Sequence, residues 1–182
     1  TTNFLHGIPH FAVSIALERD GAIVAGLVYN PANEDVFVAE RGKGAYLNDR
    51  RIRVAARTRL ADAVVACGLP HYGRGDLDRA RAEIFAAQRH FAGLRRYGAA
   101  TLDLAWVAAG RLDCYWERDL SPWDLAAGIL LVREAGGFVS DCDGHDAMLT
   151  KGEIVAGNDT MHGELLRLLK EAAKPAAQEA AR

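Results

Sequence analysis

Near Ala63 the hydrophobic pattern changes its period, and that change constrains the fold more than any other feature of the chain. Between His10 and Val54 apolar residues alternate: Phe11, Val13, Ile15 and Leu17 are separated by small or polar residues. Alternation puts every second side chain on one face, as a half-buried strand requires. Arg19-Asp20-Gly21 marks a turn, Ile23 to Tyr29 forms a second run, Asn30-Pro31-Ala32-Asn33 breaks it, and Val36 to Ala39 resumes it. With further turn signals at Gly42-Lys43-Gly44 and Asn48-Asp49-Arg50, this part predicts an antiparallel meander. From Ala63 onward, short apolar runs alternate with segments of helical spacing. Strands are expected at 64–68, 96–97, 112–116, 137–140 and 154–156, and helices at 76–91, 100–109, 122–135 and 160–173. That rhythm predicts an α/β layered architecture, with helices covering a mixed or parallel sheet. The expected organisation is an antiparallel-sheet region over 1–60, an α/β region over 61–172 and a tail over 173–182.

Half of the 182 residues are apolar and a quarter charged, which excludes disordered and low-complexity classes. Lys plus Arg number 22 against 24 for Asp plus Glu, so no chain-wide basic field attracts nucleic acid or anionic lipid. Any anion site has to be local. Apolar runs such as Leu125 to Val132 fall far short of the ~20 residues that span a bilayer, and no charged-then-apolar leader opens the sequence. Cys67, Cys114 and Cys142 are widely spaced and form no Cys-x-x-Cys, as expected of reduced thiols in a cytoplasmic protein.

The most informative segment is Ser121-Pro122-Trp123-Asp124-Leu125-Ala126-Ala127-Gly128. Serine before proline, with a carboxylate three residues after the serine, is a helix start, and Asp124 suits a capping box. The same carboxylate at a strand-to-helix junction suits a divalent cation. The two roles can coexist. Glu117 ends a predicted strand in Trp116-Glu117-Arg118-Asp119 and is a candidate contact for a hydroxylated substrate; the alternative is a solvated acidic loop. Arg95-Arg96-Tyr97-Gly98-Ala99-Ala100 puts two guanidinium groups before a glycine and a helix start, either a phosphate corner or a basic surface run.

Other patterns are weaker. Gly42-Lys43-Gly44 lacks the spacing of a nucleotide-binding loop and reads as a turn. Asp141-Cys142-Asp143-Gly144-His145-Asp146 has its glycine at the wrong offset for a calcium loop and reads as a tight acidic turn. His6 and His10 flank Pro9, which opposes the helical face a zinc pair needs. Arg50, Arg51, Arg53, Arg57 and Arg59 cluster in sequence and are expected to form a solvated strand and loop.

Thr1-Thr2-Asn3-Phe4-Leu5-His6-Gly7, together with Trp123-Asp124-Leu125-Ala126-Ala127-Gly128 through Val132-Arg133-Glu134-Ala135-Gly136-Gly137, resembles the inositol monophosphatase family. Phe11 to Tyr29, Glu40 to Tyr46 and Arg96 to Gly110 look like its bacterial members, so the resemblance runs to about Leu169. It implies an α/β/α/β/α sandwich, here lacking its N-terminal part, and Mg2+-dependent hydrolysis of inositol monophosphate by a homodimer. On that resemblance Asp124 binds metal and contacts substrate. Thr1 orients the attacking water and offers its amide to the phosphate, Glu117 takes an inositol hydroxyl, and Arg95, Gly98 and Ala100 line the substrate pocket. Ala99 stands where many members carry Ser or Thr, so one hydroxyl near the substrate is missing.

The family's Asp-Pro-Ile/Leu-Asp-Gly belongs immediately before Thr1, and an activating glutamate belongs further upstream. Of the metal-ligating carboxylates only Asp124 is within these 182 residues, so the chain alone is expected to be inactive. Rival expectations are a histidinol phosphatase, a fructose-bisphosphate-type phosphatase, or a non-catalytic module binding RNA or RNA polymerase in transcription or ribosome assembly.

Overall fold

The computed structural model describes residues 1–70, 73 and 75–179, with no side-chain detail beyond residue 173. A short helix α1 (Thr2–Leu5) leads into five consecutive antiparallel strands: β1 (Val13–Arg19), β2 (Ala22–Asn30), β3 (Asp35–Glu40), β4 (Gly44–Leu47) and β5 (Arg50–Arg51). The meander expected from the alternation is therefore present, in sequence order. On β2 and β3, Gly26, Val28, Phe37 and Ala39 face inward and are buried. A Cβ on Gly26 would come within 3.0 Å of the Ala127 backbone, so glycine lets a helix lie close against β2. The opposite face carries Val13, Ile15 and Leu17, which are 49–60% exposed.

The second sheet is mixed, with spatial order β7 (Gly93–Arg95), β6 (Val64–Cys67), β8 (Cys114–Glu117), β10 (Ile154–Gly157), β9 (Phe138–Ser140). β6 runs parallel to both β7 and β8, while β10 is antiparallel to β8 and to β9. The remaining helices are α2 (Leu77–Gln88), α3 (Ala100–Ala108), α4 (Pro122–Glu134), α5 (Met148–Lys151) and α6 (Asp159–Glu179).

Helices α3 and α4 lie between the sheets. One buried cluster joins Val28 and Phe37 of the first sheet to Leu102, Leu104, Leu125 and Leu131 of these helices and to Tyr115 and Ile154 of the second sheet. Regions 1–60 and 61–172 thus share a single core. A separate cluster, with Val65, Cys67, Trp116 and Val155 on the sheet and Ala87, Leu165 and Leu169 on helices, covers the far face with α2 and α6. The described layers run sheet, helices, sheet, helices.

Several expected boundaries shift: α2 ends at Gln88 rather than 91, β8 runs 114–117 rather than 112–116, and two further shifts have plain physical reasons. Strand β7 spans 93–95 rather than 96–97, because its ladder with β6 ends at the Ala66–Arg95 pair and the chain then turns at Gly98, whose φ is +82°. The last helix runs on through Glu179, into the segment expected as a tail; residues 180–182 of that tail lie outside the described residues. Among the described residues no helix is long and apolar enough to cross a membrane.

Candidate functional site

Because β6, β7 and β8 are mutually parallel, their carboxyl ends share one edge of the sheet. The chain leaves β6 for α2, β7 for α3 and β8 for α4, so all three helices begin at that edge. Ligands of open α/β sheets collect there, where strand ends and helix N-termini meet. Gly68, the Arg95–Ala100 turn, Glu117 and Asp124 all belong to this edge. The opening residues are tied to it as well, since Asn3 Nδ2 donates to the Tyr97 carbonyl at 2.9 Å. Ser14 Oγ donates to the Trp123 carbonyl at 3.1 Å, which brings the start of β1 to the start of α4.

Glu117 is set by its neighbours. The Tyr115 hydroxyl donates to its Oε2, and its carboxylate lies across Gly68, where a Cβ would fall 1.8 Å from Glu117 Cδ. Burial pushes the Glu117 carboxyl up to about 7, opposed by the Tyr115 hydrogen bond and the Arg96 charge and reinforced by Asp124 and Asp119. Next along the chain, just past β8, Arg118 points to the other face. It donates to buried Glu83 at 2.8 Å and to Glu153 at 2.5 Å, while Trp116 Nε1 also donates to Glu83. This network pins the strand end from behind. Asp119 follows with φ +59°, a backbone conformation that L-residues seldom adopt. A cavity of ≈ 140 Å³ opens beside Glu117, lined by Gly68, Pro70, Asp76, Arg79 and Asp119 among others.

Asp124 performs the capping role read from the sequence: its Oδ2 accepts from the Ser121 N–H at 3.0 Å. Among the described residues its Oδ1 takes no hydrogen bond, so one carboxylate oxygen is left for a cation. Helix α3 opens at Ala99, whose methyl side chain cannot cap the first N–H groups. Uncapped amides at a helix start suit an anionic oxygen.

Of the two arginines in the turn, Arg95 folds back, its Nη1 donating to the Leu94 carbonyl at 3.0 Å. Arg96 is the one directed over Gly98, with Nη1 2.9 Å from where a Cβ would sit, and its charge acts on Glu117, Asp103 and Cys67. The bare backbone at Gly98 leaves room for the Arg96 side chain to lie across it.

Asp103 was not foreseen at all. It lies on α3, is 1% exposed, and burial followed by the Glu117 charge pushes its carboxyl up to about 8, against a backbone hydrogen bond from Ala99 and the Arg96 charge. Thr1 is exposed at the start of α1.

Elsewhere, Asp141, Asp143 and His145 cluster tightly enough to suggest a metal. The Lys151 ammonium already lies 2.8 Å from Asp141 and 2.6 Å from Asp143, and Asp141 Oδ1 accepts two backbone N–H groups, so a resident cation completes the acidic turn. His10 is buried between the Tyr97 and Trp106 rings, at 5.1 and 4.9 Å. The five clustered arginines are exposed, and Arg57 and Arg59 are neutralised by Asp113 and Asp62.

Fold and site define a layered α/β protein that gathers carboxylates, a glycine and helix starts at the carboxyl edge of a mixed sheet. The chain belongs to the inositol monophosphatase family, whose model it matches over residues 1–174. It is 57% identical over 171 residues to an inositol-1-monophosphatase of Mesorhizobium japonicum, covering 94% of this chain and 64% of that protein. It is 48% identical over 172 residues to the Nus factor SuhB of Pseudomonas aeruginosa, covering 93% and 64%. A crystal structure of extragenic suppressor protein suhB from Bartonella henselae superposes with a TM-score of 0.91 at 55% identity, covering 93% of this chain and 65% of that one. The chain therefore spans about two-thirds of the length of each of these relatives.

Proposed function

We propose that this chain carries the substrate-facing part of a Mg2+-dependent phosphomonoesterase acting on inositol monophosphate. The observation that carries this reading is the convergence of Glu117, Asp124 and the uncapped start of α3 on one sheet edge, in a chain of this family. In this reading ionised Glu117, fixed by Tyr115 and by the absence of a side chain at Gly68, accepts a hydrogen bond from a substrate hydroxyl. The Gly98–Ala100 turn lies against the substrate, and the first N–H groups of α3 receive an anionic oxygen. Thr1 orients the attacking water.

Hard oxygen donors suit Mg2+, and Asp124 Oδ1 fits one ligand position. A bound divalent cation supplies charge to the phosphoryl oxygens and lowers the pKa of the attacking water. One carboxylate is too few for such a centre, so the proposal takes the others from outside these 182 residues and expects the isolated chain to release no phosphate. We assign the protein to the cytoplasm as a homodimer; the buried, unpaired Cys67, Cys114 and Cys142 support a reducing compartment.

The test is phosphate release by the full-length protein, with and without Mg2+, from inositol 1-phosphate and histidinol phosphate. At least a tenfold preference for the inositol ester is expected, on the order of 1.4 kcal/mol of transition-state discrimination. Equal or reversed preference moves the substrate elsewhere in the superfamily. No release from any monoester replaces the reading with a binding role, to be sought by RNA and polymerase pull-down.

A further inference from the structure

We propose that Asn3 is a positioning residue for the reaction: its carboxamide holds the Thr1 end of the chain in register with the Gly98 turn, touching neither substrate nor metal. The inference rests on the phosphatase reading above. Helix α1 is four residues long and buries none of them, so apart from the edge-on contact of Phe4 with Phe11 at 5.1 Å it has little packing to fix it. Of residues 1–9 only Asn3 is not exposed. Its Nδ2 carries two N–H bonds and spends both on backbone carbonyls, His10 at 2.8 Å and Tyr97 at 2.9 Å. The second of these spans 94 residues of sequence and joins the opening segment to the carbonyl immediately before Gly98. The Asn3 backbone carbonyl also accepts from Ile8, closing the loop that returns the chain to His10.

Two further observations define how narrow the fit is. A Cβ at Gly98 would lie 3.7 Å from Asn3 Nδ2 and 2.9 Å from Arg96 Nη1, so the amide reaches the turn under a bare backbone. His10 and Tyr97, whose carbonyls Asn3 joins, also contact each other and Trp106 through their rings, at centroid distances of 4.9–5.1 Å. The aromatic group fixes one side of the junction and the carboxamide the other. Without the carboxamide, Thr1 and Thr2 hang from an exposed helix while the Gly98 turn stays on the sheet. Displacements of about 1 Å between reacting groups cost as much as 100-fold in rate. The loss therefore falls on turnover, because Glu117 and the Gly98 turn still bind the substrate.

The experiment compares wild type, Asn3→Ala and Asn3→Ser in the full-length protein with Mg2+ supplied, using inositol 1-phosphate. Melting temperature and hydrogen exchange of the amides in 5–8 are measured alongside. Expected for Asn3→Ala are a fall in kcat of about tenfold or more, KM within about threefold, an unchanged melting temperature, and faster exchange in 5–8. Asn3→Ser keeps one short hydroxyl donor, is the milder lesion should the alanine variant not fold, and is expected to fall between the two. If whichever variant folds keeps kcat within twofold of wild type, or loses activity through KM alone, the inference is overturned. Wild type inert toward the ester overturns the phosphatase reading and this inference with it, a result distinct from an active wild type with an equally active variant.

Discussion

Gly68 and Glu117 act as one unit, although they lie 49 residues apart, one just past the end of β6 and the other at the end of β8. Since a methyl at position 68 falls on the Glu117 carboxylate, Gly68→Ala is expected to swing Glu117 away. The full-length variant then shows KM raised about tenfold or more, with about 1–3 kcal/mol lost from stability through overpacking. Steady-state kinetics and a denaturant melt check both parts. Asp103 and Glu117 also make a joint prediction about pH. Their folded carboxyls hold protons up to about 8 and about 7, whereas in the unfolded chain they ionise near 3.8 and 4.5. Between those limits the folded state binds more protons, so stability falls as pH rises from about 4 to about 8. Each group contributes a slope of up to about 1.4 kcal/mol per pH unit. Asp103→Asn removes one share, and urea melts across that range should show a flatter profile and a more stable variant at the alkaline end. An unchanged slope would mean that Asp103 is ionised in the native protein.

At the scale of elements, α4 joins an observed cap to a proposed metal ligand on Asp124, and substitution separates them. Asparagine at position 124 keeps an oxygen for the Ser121 N–H but lacks the charge; alanine lacks both. Asp124→Asn is expected to melt within about 2 °C of wild type while Mg2+-dependent turnover falls at least 100-fold. Asp124→Ala additionally loses about 0.5–2 kcal/mol of stability. A fully active Asp124→Asn protein would leave only the cap. The start of α4 was legible because serine, proline and a carboxylate at fixed offsets describe it locally. So were the meander and the strand–helix rhythm, which follow from the period of apolar residues. Strand β7 was misplaced because its three residues, Gly93–Arg95, gain strand form from the ladder with β6 and not from their own pattern. The four-residue helix α5 and the buried carboxyl of Asp103 left no periodic trace. Choosing Arg96 over Arg95 required knowing which way the chain turns at Gly98.

Across the molecule, the first sheet is finished on one side only. Val13, Ile15 and Leu17 form a bare apolar row on β1, which is also an edge strand and so exposes unpaired backbone groups. The 182-residue chain is expected to self-associate through this strand. Ile15→Thr with Leu17→Lys should reduce the association, since a lysine on an edge strand opposes pairing. Light scattering of both proteins decides, and a monodisperse wild-type chain at about 100 μM would show that the row is harmless. The second sheet has the opposite character. Its three parallel strands send their own strand-to-helix connections to one edge, which leaves the return from α2 into β7 at the other. Gln88, at the end of α2, and Arg89 and His90 in that return are exposed, and the His90 N–H bonds back to the Ala87 carbonyl of α2. This separation gives the protein a handle: an epitope tag, a fluorophore or a surface tether grafted between Gln88 and His90 rides on the far side of the sheet, where it reports on or immobilises the molecule without obstructing the edge where chemistry is proposed.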